Sequence, residues 1–399
     1  MNDRLRCLCE VRDLAGAAGF LTETRRHLHR HPELSFAEAD TAALVASRLE
    51  EWGWSVTRGV GGHGVVGTLS AGLAAGQAGR AVALRADMDA LPIQETTGRP
   101  WQSVHAGVMH ACGHDGHTTM LLGAAQQLAR TRQFRGTVHL VFQPAEEAGA
   151  GSGAQRMIAD GLFERFPCEA IFGLHNTPGV PAGTFGFGHG PFMSASDTAR
   201  ITVHGRGGHA ARPHQAVDPV LIAGSLVVAL QSIVARNVDP RQTAIVTVGA
   251  LHAGSAANVI PDTATMALSI RSFDAGVRDL LEQRIRALVT AHVAGYGGEV
   301  EIDYERGYPV VVNTEAETAF AREVAEELVG ASRVVSPFPP VTGSEDFAYY
   351  LQHKPGCFFR LGNGEEGAML HNPKYDFNDE ILTTGAAFWT RLVERYLPA

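Results

Sequence analysis

The order of elements between residues 188 and 303 constrains this chain most. Hydropathy there reads as strand Thr198–His204, helix Asp218–Arg236, strand Thr243–Leu251, strand Thr263–Ser272, helix Gly276–Ala294 and strand Glu299–Tyr304. That β-α-β-β-α-β succession is the ferredoxin-like order. The chain before it follows a different style. Ala81–Leu84 reads as a buried strand, Asp115–Arg130 as a helix with Met120, Leu121, Ala124, Ala125 and Leu128 at helical spacing, and Thr137–Phe142 as another strand. A helix near Ala154–Asp160 and a strand at Ala170–Leu174 follow, and helix Thr314–Leu328, strand Phe358–Leu361 and helix Asp379–Tyr396 resume the style at the end. Strand–helix alternation implies an α/β fold with a mainly parallel sheet covered by helices. An α+β unit bracketed by α/β pieces is expected to be an insertion, with one domain built from 1–188 and 304–399 and the inserted one at 189–303. Insertion implies two hinge connections and a cleft that can close.

Composition excludes several classes of function. A length of 399 residues suffices for two domains, and a net charge of -9 argues against a nucleic-acid backbone as partner. Of 33 basic residues only Lys354 and Lys374 are lysine, so any charge-based anion site is an arginine site. No uninterrupted run of about 18 apolar residues is present, and no membrane span is expected. Five scattered cysteines do not make a disulfide framework, and the start at Met1–Arg6 lacks an apolar signal region, so a cytoplasmic location is expected. Cys7-x-Cys9 resembles half a metal clip but has no second pair, and Ala71–Gly79 reads as a small-residue surface loop. Gly59-Val60-Gly61-Gly62-His63-Gly64 matches a dinucleotide-binding fingerprint in letters only. That motif must open a helix, whereas Val65–Leu69 reads as a strand, so a glycine-rich hairpin is the better account.

Chemistry concentrates at strand ends. His110-Ala111-Cys112-Gly113-His114-Asp115-Gly116-His117 packs three imidazoles, a thiol and a carboxylate just before a helix. Cys and His at i and i+2 can present two metal ligands from one turn, Gly113 and Gly116 let the backbone bend, and the helix N-terminus is expected to lower the thiol pKa. Glu146-Glu147 follows the strand ending at Phe142, where adjacent side chains point apart, so one can hold a metal while the other faces substrate. Asp87-Met88-Asp89 and His175-Asn176 also end apolar strands, and Leu370-His371-Asn372-Pro373 lies far downstream. Ligands in open α/β sheets gather at the carboxyl ends of strands. Any one motif is ordinary among 18 histidines, but together they describe a metal cluster. Two divalent ions fit so few ligands only if Cys112, a water, or both bridge them.

At these residues the chain resembles the metal-dependent amidohydrolases of the peptidase M20 family, in the branch of hippurate hydrolase, N-acyl-amino-acid amidohydrolases and auxin-conjugate hydrolases. The resemblance runs from His29-Arg30-His31-Pro32-Glu33-Leu34 through Arg85–Pro92, the Cys112/His114 turn, Glu146-Glu147, Gly207–His214, Asn258–Pro261 and Gly343–Phe347 to His371-Asn372. It implies metal ligands Cys112, His114, Glu147, His175 and His371, Glu146 as general base, and Asp89 as a carboxylate orienting the site. Asp87 stands where other branches carry His, which leaves its role open, and the two divalent ions are left open among Zn, Mn and Co. The inserted domain would be a lid and dimerisation domain, with His209 reaching in to stabilise the oxyanion, Asn258 and Arg271 binding substrate, and the protein forming a homodimer or a dimer of dimers. The implied reaction is hydrolysis of a small N-acyl-L-amino acid, with an aromatic acyl group first in line and neither nucleic acid nor membrane as partner. A dipeptidase or carboxypeptidase, an N-acetyl-diaminopimelate deacetylase, and a catalytically silent metal-binding scaffold are the alternatives.

Overall fold

The computed structural model describes residues 9–74, 77 and 79–399. Cys7, the Met1–Arg6 terminus and Ala75, Gly76 and Ala78 of the small-residue loop lie outside the described residues. The chain divides into two compact units, Met1–Gly190 with Val312–Pro339 and Asp346–Ala399, and Pro191–Val311 with Pro340–Glu345.

The first unit starts with helices α1 (Ala18–Arg30) and α2 (Ala39–Glu51). Helix α1 buries Leu21, Thr24, Arg25, Leu28 and His29, a stripe at i, i+3, i+4, i+7 and i+8 that places two cationic groups inside. Strands β1 (Ser55–Val60) and β2 (Gly64–Ala71) form the glycine-rich hairpin, with Val60 opposite Gly64 and positive φ at Gly61 and Gly62. Then come β3 (Ala81–Asp87), α3 (His114–Thr131), β4 (Gly136–Gln143), α4 (Gly153–Ala159), β5 (Ala170–Pro178) and β6 (Phe185–Gly186). The second unit contributes β7 (Ala195–His204), α5 (Pro219–Asn237), β8 (Ala244–Ala253), β9 (Thr263–Ser272), α6 (Ala275–Gly295) and β10 (Glu299–Arg306). Helix α7 (Glu315–Val329), β11 (Val334–Val335), β12 (Gly356–Gly364) and α8 (Leu382–Tyr396) return to the first unit.

The large sheet has the order β1-β2-β4-β3-β5-β12-β6-β11. Its centre is parallel, since β3 pairs in parallel with β4 and β5, and β12 in parallel with β5. Strand β3 is buried at every residue from Val82 to Asp87, which is why its sequence shows an apolar run rather than alternation. Helix α3 buries residues all round its axis, including His114, Asp115, His117, Leu121 and Leu128, because α1 and α8 also pack against it.

The second unit is an antiparallel sheet in the order β8-β9-β7-β10, backed by α5 and α6, whose buried stripes meet the inward residues of the strands. This is the ferredoxin-like arrangement. Strand β10 runs past residue 303, because Arg306 still pairs with Asp197. Pro340–Glu345 also joins this unit, where the carbonyls of Val341 and Gly343 accept from the Ser194 N–H. Helix α5 is long and apolar enough to cross a membrane by length and composition alone. Its many Val and Leu residues outweigh Ser225, Gln231 and Ser232. Ile222, Ala223, Leu226, Leu230 and Ile233 nonetheless form one buried stripe on the sheet.

Candidate metal centre and active site

The parallel strands β3, β4, β5 and β12 point the same way, so their carboxyl ends share one edge of the sheet. Asp89 follows β3, Glu146 and Glu147 follow β4, and His371 lies beyond β12. His175 and Asn176 sit inside β5 rather than past its end, opposite Arg360 and Leu361. Cys112 and His114 straddle the start of α3, whose N-cap Gly113 has φ +93. A side chain at Gly113 would strike Asn176 and Tyr375. Gly116 serves packing rather than bending, since it lies within the helix with the Phe377 ring against its Cα.

Three groups of ligand atoms lie within 4.8 Å of one another: Cys112, His114 and His175; Cys112, Glu147 and His371; and His114, Glu146 and Glu147. Cys112 belongs to the first two. Its Sγ lies 3.3 Å from His175 Nε2. On the other side His371 Nε2 approaches Glu147 Oε1 at 3.1 Å. A thiolate shared by two donor sets, each with two further ligands, fits a pair of divalent cations with positions left for water or substrate.

The imidazoles are already oriented for that task. His175 Nδ1 bonds the Asn176 carbonyl at 2.6 Å, which turns Nε2 toward the thiol. Burial, then nearby His117, hold His175 well below the ordinary histidine value, which favours the neutral form a metal ligand needs. His114 Nδ1 bonds the Asp89 carbonyl at 2.9 Å and its Oδ1 at 3.2 Å. Its buried Nε2 has no hydrogen-bond partner, an orphan that a metal would satisfy. Burial works against a charge on His114, but Asp87, Cys112 and Asp89 outweigh it and make the position favour a cation. Hydrogen bonding to Cys112 and then Glu147 lifts His371 to about 10, for the same reason. His371 adopts a left-handed backbone with φ +63, strain of the kind kept at functional sites.

Cys112 itself departs from expectation. Burial, followed by the Glu147 charge, pushes its thiol up, against the pull of His114 and His371. The residue precedes the N-cap of α3, and desolvation dominates there, so a cation in the cluster is what would favour the thiolate.

Asp89 is buried and serves as a hub. Its Oδ2 accepts from Ser35 Oγ at 2.7 Å and from the Glu147 N–H at 2.9 Å. Burial raises its carboxyl, but these donors and His114 hold it below the usual range. Asp87 turns out to be a structural anchor. Its oxygens bond Arg85 Nη1 and His117 Nδ1, each at 2.7 Å, and its carbonyl accepts from Thr118 Oγ1. Asp87, His114 and His117 also lie close enough to hold an ion. Yet Asp87 is committed to a guanidinium and His117 Nε2 to Asn176 at 2.8 Å, which makes a metal there poorly placed.

The remaining sequence candidates belong to the second unit. His209, in the two-residue strand Gly208–His209, pairs with Val259–Ile260, and the Ala210 N–H donates to the Asn258 carbonyl at 3.1 Å. His209 and Asn258 are both exposed and next to each other. Arg271, half-buried on β9, donates from Nη1 to Ser344 Oγ at 3.1 Å.

The sequence model of peptidase family M20/M25/M40 matches residues 83–395. The chain belongs to that family. It is 43% identical to a hippurate hydrolase of Campylobacter jejuni, over 97% of this chain and 98% of the relative. It is 42% identical to an N-acetyl-L-cysteine deacetylase of Bacillus subtilis, over 94% and 87%. Among solved structures, a dinuclear metal-binding M20 peptidase of Bacillus subtilis superposes with a TM-score of 0.81 at 34% identity, covering 96% of this chain and 99% of that one.

Sequence reasoning assigned no role to the charged residues beneath this M20 site, although His29, Arg85, Asp115 and Asp346 lie in the motifs it singled out. His29 bonds Asp115 at 2.8 Å and Glu95 at 3.3 Å, and Arg25 reaches Asp379 at 2.6 Å, all from the buried face of α1. Asp346 binds Arg85 Nη2 at 3.0 Å and Gln143 Nε2. Arg25 and His29 interrupt the apolar stripe of α1, a further signal in the sequence.

Proposed function

We propose that this chain is a metal-dependent amidohydrolase that cleaves N-acyl-L-amino acids to a carboxylic acid and a free amino acid. The observation carrying this reading is one buried thiol shared by two donor sets, with Glu146 at their edge. Cys112, His114 and His175 would hold one divalent ion, and Cys112, Glu147 and His371 the other. Bound there, such ions act as Lewis acids toward an amide carbonyl and lower the pKa of water. Glu146 takes the proton from the attacking water and passes it to the leaving nitrogen. Asp89 keeps His114 and the Glu147 backbone in place through the bonds described above.

The second unit supplies the substrate-facing groups in this proposal. His209 Nδ1 accepts from the Ala211 N–H at 3.0 Å, so in the neutral ring Nε2 carries the proton and can donate to an oxyanion. Asn258 stands beside it as a further polar contact. Arg271 offers a guanidinium for the free carboxylate of an acyl amino acid, a planar match that lysine cannot reproduce. Benzoyl and acetyl conjugates head the substrates because the relatives above act on hippurate and on N-acetylcysteine. Zn, Mn and Co all suit a donor set of thiol, imidazole and carboxylate. A homodimer through the second unit is supported by Val228 and Leu221, exposed at 74% and 58% on α5, and by the sheet edge at β8. A cytoplasmic location accords with four described cysteines that are all unpaired.

The test is amino-acid release from hippurate by purified protein, after chelation and after return of Zn, Mn or Co. Activity lost with chelator and regained with metal is expected. Failure on hippurate, N-acetylcysteine and dipeptides with metal bound would sink the substrate assignment. Elution as a monomer would remove the dimer.

A further inference from the structure

Among the described residues, four other than glycine have positive φ: Phe36, Arg132, Ala145 and His371. Such a conformation is costly for any residue with a Cβ and persists only where surroundings enforce it. Phe36 and Ala145 share one enforcer. Glu38 Oε1 accepts from the Phe36 N–H at 2.9 Å and from the Ala145 N–H at 2.8 Å. Glu38 is fully buried and stands at the N-cap of α2, yet its side chain makes no bond to that helix.

Both turns lead into the metal centre. Ala145 immediately precedes Glu146 and Glu147, and the turn at Phe36 carries Ser35, whose hydroxyl binds Asp89. Asp89 in turn holds the Glu147 N–H. The N–H groups on either side of Glu146 are therefore each held by a different buried carboxylate, Glu38 before it and Asp89 after it. The Ala145 carbonyl is fixed as well, by the Gly153 N–H at 3.0 Å.

We infer that Glu38 is a positioning residue for the Glu146–Glu147 pair, pinning with one oxygen the two left-handed turns that aim the general base and orient Asp89. This rests on the proposed hydrolase reading for Glu146, but the backbone restraint on Glu147 can be read without turnover. The acceptor oxygen matters here and not the charge. Glutamine keeps an acceptor at that position, alanine removes it, and aspartate retains the charge but falls one methylene short.

The experiment compares Glu38→Ala, Glu38→Gln and Glu38→Asp with the parent full-length protein in two readouts. One is kcat and KM on hippurate, and the other is Co²⁺ affinity by chelator competition. For Glu38→Ala, kcat falls about 10²-fold with KM little changed, as expected for a small misplacement of a catalytic group. Co²⁺ binding at the Glu147 site weakens about tenfold, typical of losing a supporting contact around a metal. Glu38→Gln stays close to the parent in both, and Glu38→Asp behaves like alanine. If Glu38→Ala does not fold, the Asp and Gln pair carries the test. The inference is overturned if Glu38→Gln is as damaged as Glu38→Asp, or if removing the acceptor moves neither readout. A parent protein inactive on hippurate, with the same pattern in Co²⁺ affinity, would strike the function and leave the role of Glu38 standing.

Discussion

The two units hold their candidate site residues differently. In the first, Cys112, His114, His175 and Asp89 are buried, and Nδ1 of His114 and of His175 is tied to a carbonyl, while His371 is half-exposed beside Glu147. In the second, His209 and Asn258 lie exposed on a two-residue ladder. Metal ligands must be fixed before the ion arrives, since disorder there weakens binding. In the proposed reaction His209 and Asn258 contact substrate rather than metal, and an exposed two-residue ladder holds them less rigidly. The contrast predicts that damage in the first unit shows up in metal content and damage in the second in rate or KM alone.

The largest effect is expected from Cys112→Ser. With the shared ligand weakened, both ions are lost and hydrolysis falls to background, as elemental analysis and assay will show. Retention of both ions at parental affinity would remove Cys112 as the shared donor. Glu146→Gln should reduce kcat by about 10²–10⁴, the usual range for a general base, with both ions retained. Metal lost together with activity would contradict its assignment. His209→Ala should lower kcat about 10²–10³-fold, as for an oxyanion donor, without changing metal content. A change in metal content there would break the division between the units. Arg271→Lys should raise KM roughly tenfold for acyl amino acids, since a bidentate contact is lost, and leave kcat nearly unchanged. A blocked carboxylate, as in an N-acyl amino amide, should abolish that difference.

A final prediction concerns stability and pH. Burial opposes a charge on His29, but Asp115 and Glu95 outweigh it and lift its pKa to about 9. A histidine raised in the fold stabilises fully below its unfolded value, about 6.5, and loses that contribution as pH rises through 9. Relative to the parent, His29→Gln should therefore be destabilised by on the order of 3 kcal/mol near pH 6, and the gap should narrow toward pH 10. Denaturant midpoints at the two pH values measure it, and a gap independent of pH would assign the loss to packing.

Legibility followed chain distance. Cys112 and His114 leave one turn, and Glu146 and Glu147 are adjacent, so their spacing announces a site before any fold is known. The β-α-β-β-α-β order was equally readable, because each element declares its period locally. Asp87 was not readable: Arg85 lies two residues away, but His117 reaches it only once α3 packs on β3. Glu38 carried no signal, since its partner Ala145 is 107 residues away and is bonded through the backbone. The upward push on the Cys112 thiol was not readable either, because burial and the nearby Glu147 charge, which cause it, are tertiary properties.

The sequence by itself determined which chemical groups this protein has and the local geometry with which each leaves its turn, because those depend on neighbours within a few residues. The tertiary structure alone decided that one thiol serves two donor sets, that Asp87 is an anchor, and that one carboxylate oxygen pins two strained turns. Each of these depends on the strand order β4-β3-β5-β12 and the helices packed on it, which bring together side chains scattered over more than 300 residues of chain.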